Sequence, residues 1–150
     1  MAITYADIGR QVANWLEGTA GSPRVEAFDA MSEGVPQVPL VRVYVISGQT
    51  DSGSEDTDRA TFGSAPMRRS TCTLQVDAIA RQRSHINEDM QAQMALIDAI
   101  DARLSELGAP PLFGLQGIQA VRWSWERMAY TVSETIEFVG ARFEIVLTVF

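Results

Sequence analysis

The chain has 150 residues, 46% of them hydrophobic, which suffices for one domain over residues 1–150 with a genuine core. Its net charge is −7, and its twelve basic residues are all arginines scattered from Arg10 to Arg142. That distribution disfavours clasping of nucleic-acid phosphates, and the lack of lysine excludes a P-loop or a Schiff base. A single cysteine, Cys72, excludes an internal disulfide, and the sequence has neither a signal-peptide pattern nor an apolar run of membrane-spanning length, so a soluble intracellular protein is expected.

The first predicted element is a helix. Thr4 is placed to cap it with Asp7 reaching back, Ile3 and Ile8 to close a hydrophobic staple, and Tyr5, Ile8, Val12, Trp15 and Leu16 to form one apolar stripe that stops at Gly18. Residues 22–34 fit either a short helix begun by Ser22-Pro23, carrying Val25, Phe28 and Met31, or a short strand. From Pro39 the period becomes two, with Val41, Val43 and Val45 on one face and Leu40, Arg42, Tyr44 and Ile46 on the other.

Residues 47–66 (SGQTDSGSEDTDRATFGSAP) form a long acidic arm between two strand patterns. A hairpin needs only about two to five loop residues, so such a connection is either functional or disordered, and its composition buries too little apolar surface to order itself. After it, Cys72, Leu74, Val76 and Ala78 point inward against Thr71, Thr73, Gln75 and Asp77, a half-buried antiparallel strand. A second helix follows, with Ser84 or Asn87 as cap, Glu88 and Asp89 in its first turn, and Ile86, Met90, Met94, Ile97, Ile100, Leu104 and Leu107 as its buried face. Gly108 and Pro110-Pro111 end it, and the apolar connector 112–115 is expected either under the core or at a contact surface. Two strands close the chain, one with Val121, Trp123 and Trp125 on a common face and one with Phe143, Ile145, Leu147 and Val149, joined by a turn over 132–135. The expected architecture is α+β: about four strands in an antiparallel or mixed sheet, two main helices on one face, in the order helix, hairpin with arm, helix, hairpin.

The pattern points to no enzyme, cofactor or metal. His85 is the only histidine, nothing near it completes a triad, and a capping or solvated role fits it better than general base. The acids of the arm have the wrong spacing for a calcium loop, and Glu137 and Glu144 read as solvent-facing positions of a strand. Surface contacts are the stronger reading. Candidate contacts to a partner or a neighbouring subunit are Asp51, Glu55, Asp56, Asp58, Arg59 and Phe62 in the arm, with Arg68 and Arg69 at its root. Tyr44, Phe113, Trp123 and Trp125 are candidate anchors of the core or of an interface.

With these segments in view, namely ITYADIGRQVANWL, PLVRVYVI, TLQVDAIARQRSHINEDMQAQMALIDAIDARL and the closing hairpin VRWSWERMAY to ARFEIVLTVF, the chain resembles the tail terminator proteins of long-tailed bacteriophages. The resemblance covers most of the chain but includes no diagnostic motif. It implies a virion protein at the head-proximal end of the tail, assembled in the host cytoplasm as a homo-oligomeric ring, commonly a hexamer. Such a ring ends tail-tube polymerisation and presents the surface that joins the head, with the tail tube protein and a head–tail connector or neck protein as partners. DNA would pass through its channel without specific binding, and no membrane is involved. The arm would correspond to the extended loop that meets the tube or the adjacent subunit. Alternatives are another neck or tail-completion ring protein and a bacterial α+β domain that binds a small ligand.

Overall fold

Thr4 opens the first helix as a capping box: its hydroxyl accepts from the Asp7 N–H at 3.1 Å while Asp7 Oδ2 accepts from the Thr4 N–H at 3.3 Å. The hydrogen bonds from Thr4 hold the Asp7 carboxyl below its ordinary range. The computed structural model describes residues 4–21, 23–27, 31, 36–52 and 68–149; Ile3, and with it the staple, lies outside them. Helix α1 (Tyr5–Leu16) is followed by β1 (Arg24–Glu26), β2 (Leu40–Ser52), β3 (Arg68–Gln82), helix α2 (Ile86–Ser105), β4 (Ile118–Ser133) and β5 (Ile136–Val149).

The strands form one sheet in the order β1-β2-β3-β5-β4, with β1 parallel to β2 and every other pair antiparallel. The class is α+β, with five strands among the described residues where about four were expected. Within the stretch 22–34, Arg24–Glu26 form the additional strand along the start of β2, while Ser22, Phe28 and the rest of 28–30 and 32–35 lie outside the described residues. A three-residue strand carries too little periodicity to be recognised in sequence.

One core lies between the helices and one face of the sheet. Ile8, Val12 and Leu16 of α1 and Leu96, Ile97, Ile100 and Leu104 of α2 meet Val41, Val43, Leu74, Val76, Phe143, Ile145 and Leu147. Cross-strand register sets these strand residues side by side, Val43 opposite Val76 and Val76 opposite Phe143. Each fully buried aliphatic or aromatic side chain contributes on the order of 1.5–3 kcal/mol of transfer free energy. Phe113, with Leu112, is buried in this core, where its ring meets Trp15 edge-on at 6.3 Å. The apolar connector therefore tucks under the core. Trp15 and Arg103 tie α1 to α2 reciprocally: Trp15 Nε1 donates to the Arg103 carbonyl at 3.0 Å, and Arg103 Nε donates to the Trp15 carbonyl at 2.8 Å.

The buried face of α2 is rotated from the expected stripe. Ile86 and Met90 are exposed, 73% and 41% respectively, whereas Asp89 and Gln93 are buried. The exchange has a polar cause. Asp89 accepts from the Ser84 N–H and pairs with Arg81 Nε at 3.2 Å, so neither Ser84 nor Asn87 caps the helix; His85 occupies the cap position without a side-chain bond. Gln93 donates to the Gly140 carbonyl, which a methionine or isoleucine there would leave without that donor. A bulge between Ile79 and Arg81 brings β3 so close to β5 at this point that only a glycine fits at 140.

Candidate interaction surface: the outer face and its open edge

Among the described residues no helix covers the opposite face of the sheet, and five charged residues cross it in a single row. Glu26 stands opposite Arg42, Arg42 opposite Asp77, Asp77 opposite Arg142 and Arg142 opposite Glu126. The signs alternate at every step, from the β1 edge to the β4 edge. Cross-strand opposite charges contribute roughly 0.2–1 kcal/mol each, and like charges at the same positions cost a similar amount. The row is closed at one end and open at the other: Glu26 is buried beneath Arg42 Nε at 3.1 Å, while Glu126 is exposed.

Asp77 is the hub. Its Oδ1 accepts from Arg142 Nε at 3.0 Å and from the Tyr130 hydroxyl at 3.1 Å, and Oδ2 accepts from Gln75 Nε2 at 3.2 Å. The Tyr130 hydroxyl shares its proton with the Ala141 carbonyl at 3.0 Å. Burial, with the Asp77 carboxylate beside it, pushes the Tyr130 phenol far above its ordinary range, and the hydrogen bond to Asp77 raises Arg142 in turn. The Tyr130 phenol keeps its proton and Arg142 its charge across physiological pH, so this is a structural network. A small second apolar cluster of Leu40, Ile79 and Phe138, flanked by Val38, Tyr130 and Ile136, packs beside it on the same face.

The two ends of the sheet order differ. β1 covers only the first three residues of β2, whereas β4 (sixteen residues) has β5 as its only strand neighbour among the described residues. Residues 119, 120, 122, 124–127 and 129 of β4 are exposed.

The expected anchors separate. Trp123 is half-buried and its Nε1 donates to Asp101 Oδ1 of α2 at 2.8 Å, while Trp125 is 42% exposed on the same face. Tyr44 is half-buried on the outer face opposite Gln75, outside both apolar clusters, because its position in β2 is out of phase with Val43 and Val45. Of the arm, Asp51 pairs through its backbone with Arg69, which is exposed, and Ser52 with Arg68; Glu55, Asp56, Asp58, Arg59 and Phe62 lie outside the described residues. The strand ladder thus runs six residues, Ser47 to Ser52, into the segment expected to be arm.

The root of the arm is braced by a residue that sequence reasoning assigned to the helix stripe. The Tyr5 hydroxyl meets Thr50 Oγ1 at 3.3 Å, Thr50 Oγ1 meets Ser70 Oγ at 3.0 Å, and the Tyr5 ring fills the space where a side chain on Gly48 would lie. A glycine in a strand interior was the available signal for this close approach.

The concavities are open. A groove of about 260 Å³ between α2 and β4 is lined by Arg83, Ile86, Met90, Gln93, Arg127 and Met128. Among the described residues, no group of three or more histidine, cysteine, aspartate or glutamate side chains is placed to hold a metal ion, and no helix is long and apolar enough to cross a membrane. No protein-family model matches the chain, and no curated protein sequence is significantly similar to it.

Proposed function

We propose that this chain is a structural assembly protein that works as phage tail terminators do: a ring of six copies seated on the head-proximal end of a tail tube, where it stops tube growth and offers the joining surface for the head. One observation carries the reading. β2 and β3 stay paired out to Ser52 and Arg68, past Ser70, the last β3 residue with a β5 partner among the described residues, and Tyr5 braces this extension from α1. The ladder is a stiff base for the acidic segment 53–67, the part of the chain whose composition requires a partner for order. An arm ordered only by the tube would delay capping until the tube is present, since its ordering entropy must be offset by contact. The charge also fits. Each copy adds a net −7, so a ring's channel tends to repel DNA phosphates and let the duplex slide.

The experiment replaces residues 53–67 by an Asn-Gly turn, which closes the hairpin while retaining the brace at Thr50. The variant is expected to fold with native circular dichroism and to leave tube growth unchecked, whereas the full chain caps purified tubes at one end in electron micrographs. Tubes of uniform length with the armless variant, or a full chain that never binds a tube end, would refute the reading.

A further inference from the structure

The open edge β4 carries a charge pattern that is its own complement. We propose that two copies of this chain pair antiparallel along β4, about a two-fold axis through Ser124, into one continuous sheet. In that register Arg122 faces Glu126 of the second copy, Trp123 faces its Trp125, and Ser124 faces its Ser124, with the ion pair and the tryptophan pair each formed twice by symmetry.

Three features of the molecule support this register. First, the charge row ends on exposed Glu126, so Arg122 of a second copy continues the alternation of Glu26, Arg42, Asp77, Arg142 and Glu126 across the junction. Second, competing registers lose the match. A shift that changes strand phase turns outer residues onto the helix face. Among registers that preserve phase, a two-fold at Arg122 or at Glu126 sets like charges face to face, and one at Trp123 or Trp125 leaves both charges without opposite partners. Third, the edge is accessible: α2 packs mainly over β3 and β5 and reaches β4 through the Asp101–Trp123 bond, and Trp125 is left 42% exposed. Pairing lays Trp125 against Trp123 of the second copy, the kind of aromatic cross-strand pair that stabilises antiparallel ladders. An edge strand of this length, with no second strand beside it among the described residues, is otherwise an invitation to uncontrolled association.

The dimer concerns the free protein and does not rest on the ring. It is two-fold and closed, whereas a ring needs head-to-tail contacts, so mass in solution and capping of tubes are separate measurements.

The test is light scattering on the purified full chain at micromolar concentration. The wild type is expected at twice its 16.5 kDa chain mass. Arg122→Glu and Glu126→Arg, each alone, are expected to halve that mass, and the double reversal to restore it. Ser124→Cys is expected to crosslink to itself under mild oxidation, while Arg122→Cys, offset from its own symmetry mate, is not. A monomeric wild type, an oligomer indifferent to either single reversal, a folded double reversal that stays monomeric, or crosslinking through Arg122→Cys in preference to Ser124→Cys would each overturn the proposal.

Discussion

Gly140→Ala tests whether the pinch between β3 and β5 holds the sheet together. A methyl group there would lie 1.9 Å from the Ala78 carbonyl oxygen, 2.9 Å from the carbonyl carbon and 3.0 Å from Ile79 Cα, all main-chain atoms that no rotamer change can move. The strands must part by about 1 Å, a backbone displacement of the kind that costs roughly 1–3 kcal/mol. Parting them also strains the Gln93 bond to the Gly140 carbonyl and the Tyr130 bond to Ala141, at about 1 kcal/mol each. The expected loss is therefore about 3–5 kcal/mol, a large share of the roughly 5–15 kcal/mol that holds a domain folded. Urea titration followed by tryptophan fluorescence measures it. Gly114→Ala is the control, since at φ 71° with open space around it the change carries only the left-handed backbone penalty of about 1–2 kcal/mol. If Gly140→Ala costs no more than Gly114→Ala, the close approach does not govern stability and the reasoning fails.

Further outcomes concern the two tryptophans and the cysteine. Trp123→Phe, which keeps a ring but loses the donor to Asp101, should cost about 1 kcal/mol, and Trp125→Ala in a monomeric Arg122→Glu background should cost less than truncation of Trp123 to alanine; equal losses from the two truncations in denaturant titrations would contradict the assigned environments. Burial pushes the Cys72 thiol from 9.0 up to about 11, so the stability it contributes is complete below pH 9 and declines as pH rises through 11. Accordingly, a thiol reagent at pH 8 should modify Cys72 only as fast as the chain opens, and rapid labelling of the native protein would refute its placement.

The sequence revealed much of the scaffold because it alternates cleanly. Leu74 and Val76 against Thr73 and Gln75 define β3, and Thr4 with Asp7 defines the start of α1. What it concealed was polar burial. Asp89 and Gln93 lie off the apolar stripe that the sequence offers for this helix, and only their partners across the fold, Ser84, Arg81 and the Gly140 carbonyl, explain why they displace Ile86 and Met90 from the core. The charge row was hidden for a related reason. Its five members come from five strands, and single-strand periodicity carries no information about which residues become neighbours until register is set. Tyr5 was assigned to a face but not to its contact with Thr50, a pairing across 45 positions of sequence.

Alternating charges across strands also resist shear. Were β5 to slide by two positions in one direction, Glu144 would arrive between Asp77 and Glu126, setting three carboxylates abreast where an arginine now separates two. Displacement of that strand in that direction is thus penalised by repulsion as well as by lost packing, and load applied through either hairpin is borne by a sheet whose middle resists that neighbouring alignment.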